Sequence, residues 1–333
     1  MSLIFVGYVI YSSRQQAKYQ EYLAEVATEE AAAAEAAGPE AEKTPSIEQA
    51  DTTAAVDRDV EIFGASLAAA RDRAAETVTM SNDYLTVEFS TAGASMHKVT
   101  LAEYTKYAPR EERNEKVVLY EPAPSHMGLE FYIRNGLNNV PVNTSEYVFT
   151  NEGVTRGDGF QKLTMRLDVA PESYLLYEYV LYDEKVPSRD YLLDFDIKLV
   201  NMAQLMANQS TVNLLWTART YQNERGYQNE NMYTTVSYRF PGEESIESLS
   251  TGDGEKQETV QNAVNWVAFK QQFFSEALIA PANFSYADVM YVTEAEDSGY
   301  IKNFSARMGL PYDAQTTQYD MSIYCGPVSY AHL

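Results

Sequence analysis

The chain has 333 residues, of which 25 are Lys or Arg and 48 are Asp or Glu, so its formal net charge at pH 7 is −23. This excess of negative charge argues against nucleic-acid binding, which needs clustered basic side chains, and against binding to anionic membrane surfaces. The single cysteine excludes an intramolecular disulfide and a thiolate metal cluster. Apolar residues make up 45% of the sequence, which is enough for a large packed core.

The first residues predict a membrane anchor followed by a linker. Residues 3–11 are uncharged and mostly apolar, whereas a bilayer-spanning helix needs about 20 such residues. We therefore interpret residues 1–13 as a truncated transmembrane anchor, with a buried strand as the alternative. Residues 14–57 are acidic and rich in Ala and Glu, a composition that is typical of a charged, extended linker or a fraying helix.

A short helix is expected between this linker and the domain that follows. Val60, Phe63, Leu67 and Ala70 recur at the spacing of an α-helix. We predict a helix within residues 58–76 whose apolar side packs on the following domain.

Alternation of polar and apolar residues dominates the chain from residue 77 onward. In residues 162–169, for example, Leu163, Met165 and Leu167 lie on one side of an extended chain. Similar runs occupy residues 84–89, 96–101, 115–120, 129–133, 173–182, 193–199, 211–220, 233–240, 264–270, 288–293 and 317–325. Runs with one apolar and one polar side, separated by turn residues, are typical of antiparallel sheets. Residues 77–333 are therefore predicted to form an all-β domain, a large antiparallel β-sandwich.

The sequence lacks the common motifs of catalytic and cofactor sites. It contains no Gly-x-Ser-x-Gly, His-Glu-x-x-His or Cys-x-x-Cys motif and no Walker loop. Asp194 and Asp196 share one side of a predicted strand and could hold Ca²⁺, but a solvated sheet face explains them without a ligand. An internal near-repeat, Tyr-Gln-Asn-Glu at 221–224 and 227–230, is too short for a solenoid. We predict no catalytic residue, no metal site and no cofactor.

The most distinctive stretch is residues 264–280, which is rich in aromatic side chains. Its aromatic residues are Trp266, Phe269, Phe273 and Phe274. On a helix these residues would share one face. Alternatively, the stretch forms two short strands, and residues 270–272 make the turn between them. Packing in the core is the simplest role for it in either case.

Part of this stretch resembles the Trp-x-Ala-x-x-x-Gln-x-Phe pattern near the end of the large periplasmic domain of YidC-type membrane protein insertases. The matching residues are Trp266, Ala268, Gln272 and Phe274, with Gln271 and Phe273 inside the pattern. Residues 82–104 look like the opening strands of that domain, with a Gly turn that leads to Leu-x-x-Tyr. Gly326 and Pro327 belong to a segment that looks like its closing strand.

The resemblance implies a β-supersandwich of the galactose-mutarotase-like type and a non-catalytic periplasmic domain of an insertase in the bacterial inner membrane. It also implies two partners, namely the accessory subunit of the Sec translocon and the membrane-protein clients during insertion. The structural or partner-facing residues would be Trp266, Ala268, Gln271, Gln272, Phe273, Phe274, Gly326 and Pro327. The Ala/Glu-rich linker and the many tyrosines favour a Bacteroidetes-like member. We expect the family's helical membrane core after residue 333, so no residue of this chain is assigned a role in it.

A carbohydrate-binding or mutarotase-like β-sandwich of the cell envelope is the alternative, because the supersandwich fold is shared. An epimerase of that type needs a His acid and a Glu or Asp base that converge in a cleft. Of the three histidines, His97 and His126 are the only credible candidates for the acid, and neither lies in a motif with a Glu.

Overall fold

The computed structural model describes residues 59–108, 114–120, 126–183 and 189–328. The predicted anchor and linker lie outside the described residues. Within the described ranges, strands predominate, and none of the helices is both long and apolar enough to cross a membrane.

The strands form three antiparallel sheets. In chain order they are β1 (Thr77–Ser81), β2 (Leu85–Ser90), β3 (Ser95–Thr105), β4 (Lys116–Tyr120), β5 (His126–Asn135), β6 (Asn138–Asn143), β7 (Thr150–Gly157), β8 (Phe160–Ala170), β9 (Ser173–Tyr182), β10 (Leu192–Val200), β11 (Thr211–Tyr221), β12 (Thr235–Arg239), β13 (Glu247–Ser248), β14 (Glu255–Val260), β15 (Val264–Lys270), β16 (Phe274–Phe284), β17 (Ala287–Thr293), β18 (Tyr300–Pro311) and β19 (Gln318–Pro327). Sheet A has the order β1-β2-β3-β4, sheet B the order β13-β12-β15-β16-β19-β10-β9-β8-β7, and sheet C the order β14-β17-β18-β11-β5-β6.

Sheets A and C both pack on one face of sheet B, and aromatic side chains fill the space between them. On the side of sheet C, the ring of Phe269 stacks on Trp216 at 3.9 Å and on Phe304 at 4.8 Å between centroids. On the side of sheet A, Phe89 lies 4.7 Å from Tyr179. The register of sheet B puts Phe269 and Tyr179 on the same face. The predicted all-β sandwich is therefore confirmed.

The alternating runs of the sequence overlap strands throughout the sandwich. Residues 264–280 form β15 and most of β16, with a turn at residues 271–273. The helical alternative for this stretch is therefore wrong and the two-strand alternative is confirmed. A helix does not form because the stretch lies inside sheet B, where both of its strands have hydrogen-bonded neighbours.

Short helices complete the described structure. Residues 59–63 are helical, and after Gly64, whose φ of 86° favours glycine, helix α1 (Ala65–Arg71) buries Leu67 and Ala70 near β8. A single 3₁₀ turn occupies Thr144–Glu146. Helix α2 (Tyr227–Tyr233) precedes β12 and packs near β18.

Candidate functional site

The predicted site residues come together at one end of sheet B. Trp266 and Ala268 lie on β15, and the next strand begins at Phe274, which pairs with Pro327 at the end of β19. Gly326 is the cross-strand partner of Ser275. The turn between β15 and β16 consists of Gln271, Gln272 and Phe273. We call this turn, together with the adjoining ends of β15, β16 and β19, the hairpin end.

Strand alternation divides the hairpin end between the two faces of sheet B. Phe274 points into the sandwich, where its ring meets Tyr104 edge to face at 5.2 Å. Trp266 and Ala268 are on the opposite face and line a cleft of about 200 Å³. The cleft is lined by Ser237, Ile246, Ser248, Trp266, Ala268, Lys270, Ser275 and Val328. Space is left there because half of these side chains are Ser or Ala.

Trp266 is almost fully buried although it faces away from the sandwich. Its indole N–H has no hydrogen-bond acceptor among the described residues, and the guanidinium of Arg239 lies 5.7 Å from the ring centroid. A buried donor without an acceptor costs about 1–3 kcal/mol. Trp266 therefore has a buried N–H without an acceptor, and the same residue lines the cleft.

Two asparagines hold the two glutamines of the turn. The side-chain amide of Asn223 donates to Oε1 of Gln271 at 2.9 Å, and that of Asn229 donates to Oε1 of Gln272 at 3.3 Å. Asn223 and Gln271 are buried, whereas Asn229 is exposed. The turn is therefore fixed from outside its own hairpin.

Both asparagines belong to the Tyr-Gln-Asn-Glu near-repeat, and the two copies of this repeat are hydrogen-bonded to each other. The carboxylate of Glu230, in the second copy, accepts the backbone N–H groups of Asn223 and Glu224 in the first copy, each at 3.0 Å. Burial raises the pKa of Glu230 to about 7, although these two N–H groups lower it. The sequence shows the repeat, but only the fold reveals that it supports the turn.

Lys302 fixes the end of α2 that faces the hairpin. Its ammonium donates to the carbonyl of Thr234 at 2.6 Å and lies 3.7 Å from the ring centroid of Tyr291. Burial lowers the pKa of Lys302 to about 8. Bonds from a cation to the last carbonyls of a helix stabilise its C-terminus, so α2 keeps its position beside the turn.

Apolar side chains are exposed in the segments that adjoin the cleft. Phe273 is 51% exposed, and Met232 and Tyr233 at the end of α2 are 57% and 50% exposed. Lys270 connects α2 to β15, because its ammonium donates to the carbonyl of Tyr233 at 3.1 Å. The backbone N–H of Val328 donates to the carbonyl of Phe273 at 2.7 Å. We call Met232, Tyr233, Ile246, Phe273 and Val328 the apolar rim.

The other residues considered from the sequence do not assemble into a catalytic or metal site. His126 Nδ1 is 3.0 Å from the hydroxyl of Thr217 on β11, and His97 lies on β3. Asp194 accepts from Arg189 and from Tyr182, each at 2.6 Å. In the part of the chain that the structure describes, no three His, Cys, Asp or Glu residues are placed to hold a metal ion.

Comparison with known proteins identifies the domain. A family model described as the YidC periplasmic domain matches residues 77–333. The chain belongs to this family. The membrane protein insertase YidC of Bacteroides fragilis is 30% identical over 257 residues, which cover 77% of this chain and 38% of that protein. YidC of Porphyromonas gingivalis is 29% identical over 266 residues, which cover 79% of this chain and 40% of that protein.

These relatives confirm the resemblance to YidC-type proteins and to Bacteroidetes-like members in particular. The chain spans about two fifths of the length of the relatives that it matches. Among solved structures, a galactose mutarotase-like protein from Lactobacillus casei has a TM-score of 0.43 at 11% identity. The alignment covers 75% of this chain and 100% of the Lactobacillus casei chain. A galactose mutarotase related enzyme from Lactobacillus acidophilus has a TM-score of 0.42 at 11% identity, with coverages of 75% and 97%.

Proposed function

We propose that residues 77–333 act as a non-catalytic accessory domain of a membrane protein insertase, on the periplasmic side of the bacterial inner membrane. The observation that carries this proposal is the match of the whole β-sandwich to the YidC periplasmic domain, together with relatives named membrane protein insertases. The hairpin end suits such a role, because it offers an exposed apolar surface on a rigid support.

The domain would assist insertion by binding rather than by covalent chemistry. As partners we propose the accessory subunit of the Sec translocon and membrane-protein clients during insertion. A domain that is tethered beside the insertion site raises the effective concentration of its partner, and this strengthens binding without any additional contact. The predicted anchor and linker would provide the tether.

A chimera tests this function. Residues 77–333 would replace the corresponding domain of the Bacteroides fragilis YidC, in cells that are depleted of their own insertase. We expect the chimera to insert a reporter membrane protein and to copurify with the Sec accessory subunit, and we expect deletion of the domain to abolish copurification. Unchanged copurification after the deletion would refute the proposed partner.

A sugar titration tests the non-catalytic assignment separately. The purified chain should give no heat with simple hexoses at concentrations up to about 1 mM, which corresponds to a binding free energy of about −4 kcal/mol. A reproducible epimerase or hydrolase activity of the purified chain would contradict the proposal.

A further inference from the structure

We propose that a cavity beside the end of β5 binds an organic monocarboxylate with an apolar body. The cavity has a volume of about 420 Å³ and shares no lining residue with the cleft at the hairpin end. Sites for small molecules have volumes of about 300–1,000 Å³, so the cavity is large enough for such a ligand. The proposal goes beyond the proposed function, because the ligand need not be an insertion partner.

Three separate segments form the walls of the cavity, one from β5, one between β10 and β11, and one between β18 and β19. The backbone N–H of Arg134 donates to the carbonyl of Leu205 at 2.8 Å, and that of Tyr312 donates to the carbonyl of Ser210 at 2.9 Å. Each of these bonds joins two different walls. The cavity is therefore ordered before a ligand binds, which lowers the entropic cost of binding.

Gln209 reinforces one wall in the manner of a neighbouring strand. Its side-chain amide accepts from the backbone N–H of Tyr132 at 3.2 Å and donates to the carbonyl of Tyr132 at 3.1 Å. The backbone N–H of Ala207 donates to the same carbonyl at 2.8 Å. The segment before β11 is thus fixed against β5, and Asn208 and Ser210, which flank Gln209, are held at the cavity.

The guanidinium of Arg134 selects the charge of the ligand. Arg134 lines the cavity, and its guanidinium forms no ion pair and no hydrogen bond with a described residue. Arg71 and Arg307, elsewhere in the domain, are paired with carboxylates. A guanidinium whose N–H groups are available can bind a carboxylate through two parallel hydrogen bonds. We therefore assign a carboxylate to this part of the cavity.

Neutral donors lie close to this guanidinium. Asn208, Ser210 and Tyr312 line the cavity, and the polar groups of their side chains form no hydrogen bond with a described residue. Burial and the nearby Asp313 raise the pKa of Tyr312, whereas the positive charge of Arg134 lowers it. The Tyr312 hydroxyl is therefore close enough to Arg134 for both groups to donate to one carboxylate.

Asp313 restricts the ligand to a single negative charge. Its Oδ1 accepts from the backbone N–H of Gln315 at 2.8 Å and from the hydroxyl of Thr316 at 3.0 Å. These bonds lower the pKa of Asp313, so its exposed carboxylate is ionised at neutral pH. Because repulsion grows with the charge of the ligand, a phosphate dianion is disfavoured relative to a carboxylate.

The buried part of the lining is apolar. Met206, Ala207 and the ring of Tyr312 are buried and line the cavity. Binding sites of this kind combine an apolar lining with a few polar groups that orient the ligand. An aliphatic or aromatic body attached to the carboxylate fits such a lining, and phenylacetate is the simplest probe with both parts.

The test uses the full 333-residue chain and phenylacetate, with phenylacetamide as its neutral counterpart. A ligand-detected NMR titration should show saturable binding of phenylacetate with a dissociation constant of about 1 mM or lower. Phenylacetamide should bind at least about tenfold more weakly, because it cannot form the charged hydrogen bonds with Arg134. Phenyl phosphate should also bind more weakly than phenylacetate, because of the fixed charge of Asp313.

Arg134→Gln should weaken the binding of phenylacetate by about tenfold or more. Arg225→Gln is the matched control and should leave the affinity unchanged. Arg225 is exposed, does not line the cavity and forms no ion pair with a described residue. Ala314→Trp keeps every charge but places a large side chain at the exposed edge of the cavity, and it should remove saturable binding.

The peptide Gly-Gly-Gly-Phe with a free C-terminus distinguishes two sources of the carboxylate. Tighter binding of this peptide than of phenylacetate would assign the cavity to a chain terminus, and binding of phenylacetate alone would assign it to a free acid. Both results support the proposal.

Four results would each overturn the proposal. These are no saturable binding at about 10 mM, equal affinity for phenylacetate and its amide, tighter binding of phenyl phosphate, and equal losses in the Arg134 and Arg225 variants. Unchanged binding by Ala314→Trp would place the ligand elsewhere and would overturn it as well. Copurification of the chimera with its partner does not depend on any of these results, so the proposed function is tested separately.

Discussion

The amide of Asn223 donates to the side-chain carbonyl of Gln271 across 2.9 Å, and both residues are buried. They are 48 positions apart in sequence. This bond connects the segment after β11 to the turn between β15 and β16, so that the apolar rim is supported by two distant parts of the chain. The bond satisfies one polar atom of each amide, whereas Oδ1 of Asn223 and Nε2 of Gln271 are buried without a hydrogen-bond partner among the described residues.

The buried pair should matter more for stability than its exposed counterpart. Asn223→Ala leaves Oε1 of Gln271 buried without its donor and should lower the free energy of unfolding by about 1–3 kcal/mol. Asn229→Ala removes an exposed bond and should cost about 0.5 kcal/mol or less. Urea unfolding of both variants measures the difference, and equal losses would contradict the assigned roles.

Glu230 should make stability fall as the pH rises. The pKa of Glu230 is about 7 in the folded protein, above the value of about 4.5 that is ordinary for a Glu side chain. The folded state therefore binds more protons between these values, and stability decreases as the pH rises through this window. Glu230→Gln should remove about 2 kcal/mol of this pH dependence.

The measurement for Glu230 is urea unfolding of both proteins from pH 5 to pH 8. The wild type should lose stability relative to the variant over this range. Parallel pH profiles would show that Glu230 is ionised without cost, and hence that its bonds to the backbone compensate for its burial.

Asp196, on the solvent face of sheet B, should also make stability fall as the pH rises. Burial and the nearby carboxylates of Asp320, Asp194 and Glu178 raise its pKa to about 6. Since Asp196 is only partly buried, solvent screening limits the gain of Asp196→Asn at pH 8 to about 1 kcal/mol. Asp194→Asn is the contrasting variant, because it weakens bonds to Arg189 and Tyr182 and should destabilise the protein. Thermal melts of both variants at pH 8 and pH 5 check this, and a gain for Asp196→Asn that persists at pH 5 would contradict it.

Cys325 should be inert in the folded protein. It is fully buried, and burial together with the neighbouring Glu276 holds its pKa well above the ordinary range. A thiolate is the reactive form, so a thiol reagent at pH 8 should label Cys325 only at the rate of global unfolding. Rapid labelling in buffer without denaturant would show that the hairpin end opens locally.

Alternation of polar and apolar residues predicts strands well where one face of a sheet is exposed to solvent. Residues 162–169 alternate because β8 has one buried and one solvated side, and the structure confirms this strand. β16 was harder to define, since Phe274, Ser275, Glu276, Ala277 and Leu278 are all buried in succession. A strand that is covered on both faces has no period of two to detect.

The candidate site could be predicted only in part. The Trp, Gln and Phe pattern singled out residues 266–274, and the structure places these residues in one turn and its adjoining strands. Met232, Tyr233 and Ile246 could not be assigned to the site, since they belong to separate segments that only the tertiary fold brings together. The near-repeat at 221–230 was visible, but its role depends on contacts with a turn far along the chain.

The central claim is that the hairpin end is the partner-facing surface of an insertase domain. The most direct measurement places a photo-crosslinking amino acid at position 273 of the chimera, with position 137 as the control, while a membrane protein is being inserted. We predict crosslinks from position 273 to the client or to the Sec accessory subunit, and none from position 137. Equal crosslinking from both positions, or crosslinks from position 137 alone, would contradict the account.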